Sequence, residues 1–464
     1  MSAYPTRADQ GHDSALARDL RRALRGPVSV PGDADFEAAR KPWNLTVEQR
    51  VRAVVEIEDA ADASVLVRYA AGAGLAVAVQ PNGHGAAAGL DGEILVRTGR
   101  MRRVEVRPEE RTARVAAGAS WSEVLAETAK YGLTGLCGSS PVVSAVGYTL
   151  GGGLSWFGRR HGLAANGVRS FDVVDAEGSR RTVSAASDPE LFWALRGGGG
   201  DFALVTAMEI ELHPAPEVYG GRMVWPAARA AEVLAAVRDT TAVAPEELTV
   251  WFSLIDFPPF PELPEPLRGL SAAVVDLTFL GDGAQARHLL GRFDRIPGLV
   301  FDTLGSVHIP DLGAICAEPT MPGPGILRAE LLDRLDDAAA TMFLTAVAPG
   351  AMAPLVTAQI RHLGGALARH ATGAGACGHI SEPYLVGLLG VPWSPADVTA
   401  VEARQASVFR SLDRHTSGRK PYTFLTHEER ASAAFTRDTL ARLREVKRRD
   451  DPRGVFRANH PVLV

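Results

Sequence analysis

The sequence predicts a protein of two or three domains in which helices and strands are mixed. Three observations carry this reading. The chain has 464 residues, too many for one ordinary core, and 46% of them are hydrophobic against 22% charged, the balance of a folded chain. Its first half alternates segments of helical and strand period. From about residue 218 to 420 the glycine-rich loops thin out and strand–helix units follow one another.

The elements follow in order. "ASVLVRYAAGAGLAVAVQ" reads as a helix running into a strand, and "GEILVRT" as a second short strand. "RRVEVRPEERTARVAAGAS" alternates like a hairpin turning at Pro108-Glu109-Glu110. "SWSEVLAETAKYG" is a helix with Ser120 at its N-cap, stopped by Gly132. "VRSFDVVDAEGSRRTVS" is a second hairpin, turning at Glu177-Gly178. "DPELFWALRGGGGDFALVTAMEIELHP" is a helix, a glycine run and a long strand closed by Pro214 and Pro216. "LSAAVVDLTFLG" and "SEPYLVGLLGV" read as strands, and "FPPFPELPEP" as a loop or lid. "TRDTLARLREVKRRDDP" is a basic amphipathic helix whose charges form a solvated face.

Several functions are set aside by composition. A net charge of −5 argues against a nucleic-acid partner. No apolar run has the length of a membrane span and the N-terminus has no apolar leader, so a cytoplasmic protein is expected. Cys137, Cys316 and Cys377 have no CxxC spacing, which excludes a zinc ribbon or dithiol pair, and no metal site is expected. Abundant Ala, Gly and Arg with few Lys is the usage of a GC-rich bacterial genome.

Three glycine loops hold the chemistry. In "VAVQPNGHGAAAGLDGEILVRT", residues 77–98, GxGxxG spacing is nearly met. The helix that a dinucleotide loop needs is missing: Asp91-Gly92 turns and the next strand begins at Ile94, too soon for a parallel crossover. His84 is then either a turn-capping histidine or the loop's one reactive group. The second loop is "GLCGSSPVVSAVGYTLGGGLSWFGRRHGLAANGV". Ser139 and Ser140 offer hydroxyl and amide donors, and Gly151-Gly152-Gly153 lets backbone N–H groups converge on one acceptor such as a pyrophosphate. The alternative is a tight packing corner. No GK[ST] follows, so it is not a P-loop. The third, Gly197 to Gly200, permits close approach or a strained turn.

Taken together, "QPNGHG", "GSSPVVSAVGYTLGGGLSWFGRRHGLAAN", "DPELFWALRGGGGDFALVTAMEIELHP" and "DDPRGVFRANHPV" resemble the FAD-linked oxidases of the berberine bridge enzyme-like and vanillyl-alcohol oxidase type. The resemblance implies an α+β fold. A PCMH-type FAD-binding domain of two α/β subdomains would span residues 36–215, after an N-terminal extension of residues 1–35. A substrate domain with an antiparallel sheet backed by helices would span 216–420, and 421–464 would return to the FAD domain. It implies FAD bound covalently through His84. Ser140 stands where many members carry a second-link cysteine, and Cys137 lies three residues too early for that role. The cofactor-binding positions it implies are Pro81, Asn82, Gly83, His84, Gly85, Ala86, Leu90, Ser139, Ser140, Val143, Gly147, Tyr148, Gly151, Gly152, Gly153, Leu154, Gly162, Asn166, Val205 and Asn459.

The activity implied is hydride transfer from an alcohol or amine carbon of a small, secondary-metabolite substrate to flavin N5, with reoxidation by dioxygen to peroxide, in a monomer or homodimer. Alternatives are a flavoprotein dehydrogenase, a redox-neutral cyclase, or a flavin-binding protein without turnover. Many relatives place the base on a tyrosine in a Y-x-N-F-like strand. In "RKPYTFLTHEE" that position is Pro421, and Tyr422 is one residue off, hence on the opposite face of a strand unless a bulge intervenes. The catalytic candidates are Tyr422, Tyr384 and His362, with His379 beside them, the last three on strands facing the flavin.

Overall fold

The computed structural model describes residues 7–215 and 217–463; the expected strand end at Pro216 lies outside them. Three sheets organise the chain. The first contains β1 (Val28–Ser29), β2 (Ala53–Glu56), β3 (Val77–Val79) and β4 (Ile94–Arg97) in the order β1-β2-β4-β3. β1 runs antiparallel to β2, while β2, β4 and β3 are parallel. The helix Ala60–Ala73 connects β2 to β3. Asp59 caps it by accepting the amides of Ala61 and Asp62, and Gly74, at φ 66°, ends it.

The connection from β3 to β4 corrects one expectation. The two strands are parallel, so the crossover is present after all. Residues 80–93 make it as a loop without a helix, and the dinucleotide reading fails for want of that helix alone.

The second sheet is antiparallel: β5 (Val104–Arg107), β6 (Thr112–Ala116), β7 (Val168–Val174), β8 (Arg180–Ser184) and β9 (Leu204–Glu211), ordered β5-β6-β9-β7-β8. Both expected hairpins are here. Between them, the helix Trp121–Thr128 begins with a capping box in which Glu123 accepts the Ser120 N–H at 2.9 Å.

The third sheet is built from six long antiparallel strands: β10 (Val218–Pro226), β11 (Leu248–Asp256), β12 (Ser271–Leu280), β13 (Ile326–Leu332), β14 (Leu355–His362) and β15 (Tyr384–Gly390), ordered β10-β12-β11-β14-β15-β13. Strand alternation sorts its two faces. Val250 and Phe252 of β11, Val275 and Leu277 of β12, and Val386 and Leu388 of β15 form one core with the helices Ala230–Thr241, Asp337–Ala346 and Pro395–Leu412. The opposite face looks toward the first half, where Trp251 stacks on Trp156 at 3.7 Å. Arg159 holds the two halves together, donating to the carbonyls of Leu248 (2.8 Å), Ala244 and Pro245 (3.2 Å each).

The basic helix Arg437–Asp450 is not solvated throughout. Lys447 is buried and donates to the Asp201 carbonyl, Asp201 Oδ1 (3.3 Å), Asp451 Oδ2 (2.8 Å) and the Phe456 carbonyl (2.8 Å). Asp201 also accepts the amides of Ala458 and Val462, and Asp451 those of Val455 and Phe456. The terminal segment is thereby laid beside β3, where the Val77 N–H donates to Val455 at 2.7 Å and the Arg457 N–H to Val77 at 3.0 Å.

Removing one member strands the others. Asp201→Ala is expected to cost about 3–5 kcal/mol in a denaturant titration, because it leaves a buried ammonium short of a counter-charge. Adding Lys447→Met to it should recover part of the loss.

Candidate cofactor and substrate site

The His84 loop is shaped by close packing. At Gly83, φ 80°, a Cβ would come within 2.6 Å of Pro42 Cβ, so only glycine admits the segment around Pro42. That segment brings Trp43, which no spacing in the sequence signalled. Its indole stacks on the His84 ring with centroids 4.2 Å apart.

Asn82 then fixes the imidazole. Its amide nitrogen donates to the Val142 carbonyl at 2.7 Å, which ties the two glycine loops together and turns Oδ1 to His84 Nδ1 at 3.1 Å. An amide oxygen can only accept, so Nδ1 carries the proton and Nε2 the lone pair. Nε2 is buried and has no partner among the described residues. Burial lowers the His84 pKa to about 4, and the ring is neutral at physiological pH.

Around this ring the backbone offers donors. Among the described residues, the N–H groups of His84, Gly85, Ser139 and Ser140 find no acceptor. Asn459 reaches back from the C-terminal segment, its side-chain amide donating to the Gly85 carbonyl at 2.6 Å. Pro81 and Gly147 pack side by side, a Cβ on Gly147 falling 3.8 Å from the proline ring.

Two of the triple glycine's N–H groups are used within the chain rather than held open for an outside acceptor. Gly151 and Gly152 both donate to the Thr149 carbonyl, closing the helix Ala145–Leu150. A Cβ on Gly153 would lie 2.5 Å from the Tyr148 ring. These glycines make the packing corner that was the alternative reading. Tyr148 fills it edge-on to Trp121, and its hydroxyl is buried without a partner.

Other positions build the frame. Ala86 and Leu90 are buried beneath the first loop, and Leu154 and Val205 lie in separate cores. Val143 gives its carbonyl to the Trp121 N–H. Gly162, at φ 86°, caps the short helix Gly158–His161. Asn166 is occupied at both ends by residues 375–378, accepting from the Gly375 amide at 3.0 Å and donating to the Gly378 carbonyl at 3.1 Å. The Cys137 thiol is buried and pushed up to about 12, so it stays neutral.

The four base candidates separate. Tyr384 turns to the helix-covered face and shares a 2.8 Å hydrogen bond with Thr241, so its expected orientation is corrected. His362, beside it in the β14–β15 register, is buried against Arg159 at 3.0 Å; burial, then that guanidinium, lower its pKa to about 3. Tyr422 begins a short 3-10 turn, Tyr422–Phe424, so the argument from strand register does not apply to it. It lines a small cavity of about 30 Å³ with Gly151–Gly153, Cys377 and His379. Burial, with Asp201 adding to it, raises the Tyr422 hydroxyl pKa, the reverse of what a resident phenolate requires. His379 sits on a loop rather than a strand, and burial first, then His370, lower its pKa.

The two loops fall within a stretch, residues 51–184, that matches the FAD binding domain family. The chain is 32% identical over 215 residues to (R)-6-hydroxynicotine oxidase of Paenarthrobacter nicotinovorans, covering 46% of each chain. It thus spans about half the length of that curated relative. Its fold is that of the berberine bridge enzyme-like protein 1 of Physcomitrella patens, at a TM-score of 0.83 and 18% identity over 96% of this chain and 98% of that one. The grass pollen allergen Phl p 4, a protein with glucose dehydrogenase activity, superposes at 0.80 with 16% identity over 96% and 98%. The chain carries an FAD binding domain at residues 51–184 and has the fold of the berberine bridge enzyme-like proteins.

With its FAD binding domain the chain is suited to FAD, since the unpartnered Nε2 and the open amides of the two loops fit a group that is large, anionic and in need of anchoring. Facing them, the site side of the third sheet carries Trp251, Gln359 and Arg361, none of which the sequence singled out.

Three histidines shifted by burial make stability depend on pH. His84 and His161 are lowered to about 4 and His362 to about 3, while unfolded histidines titrate near 6.5. Between these values the unfolded chain binds more protons. Stability should therefore fall as pH drops from 6.5 toward 4, read as melting temperature, with a shallower slope in His362→Gln.

Proposed function

We propose that the chain is an FAD-dependent oxidase that takes a hydride from an alcohol or amine carbon of a small, secondary-metabolite substrate, with His84 as its covalent anchor for the cofactor. The observation that carries this reading is the His84 ring, neutral, fixed in one tautomer by Asn82, and presenting a buried Nε2 that bonds to nothing. An unsatisfied buried polar atom costs about 1–3 kcal/mol, and a cofactor bond at that atom relieves it. Bound FAD supplies the hydride acceptor at N5 and passes the electrons to dioxygen, giving hydrogen peroxide.

The protein's part is to hold and to move protons. The free amides of His84, Gly85, Ser139 and Ser140 suit the cofactor's phosphates, and Asn459 braces the loop from behind. A single link follows from Ser140, which has no thiol, and from the neutral Cys137. In this reading residues 36–215 and 421–464 carry the cofactor and 216–420 the substrate. His379, neutral and bordering the cavity beside Tyr422, accepts the substrate proton, while Tyr422 stays protonated and donates. A dehydrogenase with weak oxygen reactivity is the second reading, favoured by the displaced tyrosine of "RKPYTFLTHEE".

Acid precipitation tests the anchor. The wild-type pellet should be yellow, His84→Ala should release the colour to the supernatant, Asn82→Leu should lower the covalent fraction, and Cys137→Ser should change nothing. A colourless protein that binds no FAD sinks the proposal. Peroxide yield against yield with an artificial electron acceptor, over a panel of alcohols and amines, separates oxidase from dehydrogenase.

A further inference from the structure

We propose that Arg361 is an anion-binding group that makes the protein select substrates bearing a carboxylate. The inference deepens the proposed function and rests on it only for the word substrate; the binding itself does not depend on redox chemistry.

Arg361 lies on β14, on the face of the third sheet turned away from the helices, directly opposite Trp251 on β11. Its Nε donates to Gln359 Oε1 at 2.6 Å, which fixes the plane of the guanidinium. The group lies 4.0 Å from the Trp251 ring centroid and 5.3 Å from that of Phe424. Its terminal amino groups have no hydrogen-bond partner, and no carboxylate oxygen lies within 4 Å of them, among the described residues. Arg222 on the same sheet is the contrast, since it is closed by a two-pronged pair with Asp276 at 2.7 and 3.0 Å.

Arg361 is half-buried, and stacking on an aromatic ring replaces only part of the hydration its guanidinium loses. Glu318, Asp276 and the Cys316 thiol act on Arg361 only from longer range. The Tyr148 hydroxyl, within electrostatic reach of Arg361, is buried and likewise unpartnered among the described residues. A planar fork with two free N–H groups, a nearby phenol and aromatic walls matches a carboxylate on an apolar or aromatic body.

The test uses the purified holoprotein, with benzoate and acetate as probes and benzamide and acetamide as their neutral counterparts. Binding is read by calorimetry and by perturbation of the visible spectrum. Benzoate should bind at least tenfold more tightly than benzamide. Arg361→Met should erase that difference, Arg361→Lys should keep part of it, and Gln359→Leu should weaken benzoate alone. The Gln359 variant serves if Arg361→Met does not fold. Equal binding of acid and amide, no binding of either to wild type, or benzoate affinity unchanged in the Arg361 variants overturns the proposal. A protein without flavin that still selects benzoate through Arg361 would defeat the oxidase reading and leave this one standing. A yellow protein indifferent to the acid does the reverse.

Discussion

The arrangement of the site depends on one buried ammonium. Lys447 is held by two carboxylates and two carbonyls, and those carboxylates in turn hold four amides of the terminal segment. Asp201 follows the glycine run of residues 197–200, so the network joins that run to residues 455–462. From there Asn459 reaches Gly85, and His460 meets Tyr422 edge-on at 5.6 Å. Burial raises the Asp201 pKa while Lys447 and the amides of Val462 and Ala458 oppose it. The hydrogen bonds are what make such a network tolerable, because each charged atom removed from water has been given a replacement partner.

A second constraint acts across the molecule. Strand alternation puts large aliphatic side chains on the helix side of the third sheet and leaves Trp251, Asp276 and Arg361 on the other. That second face cannot stand in water as a dry surface, and it is covered by the first half through Trp156 and Arg159. The loops that carry His84 and Tyr148 are therefore pressed toward a surface that already contains charge.

What could be read from sequence was what neighbouring residues decide. Turn residues at Pro108–Glu110 and Glu177–Gly178 and the N-cap at Ser120 all act within a few positions of themselves. The period-two argument does not govern Tyr422, because its segment forms a 3-10 turn. The facing of Tyr384 is hidden from sequence because the covered face is set by helices more than a hundred residues away, here through Thr241. Trp43 and Arg361 left no spacing signal, and for Lys447 the i,i+4 spacing to Asp451 does not reveal burial, because its other carboxylate, Asp201, is 246 residues distant. The triple glycine misled differently. Its composition is compatible with donors or with tight packing, and only the position of the Tyr148 ring decides between them.

The protonation states give the site a direction. His84 is neutral and presents a lone pair, and Tyr422, Tyr148 and Cys137 all have their pKa values raised by burial and so remain protonated and uncharged. The same burial that neutralises these groups cannot neutralise an arginine, whose guanidinium keeps its proton throughout the accessible range. Between the two loops and the third sheet, polarity therefore rises from uncharged donors on one wall to a fixed cation on the other. Under the proposed carboxylate selectivity, a substrate that is apolar at its reacting carbon and anionic at its far end would be oriented by that gradient before any proton moves, and a neutral one would not.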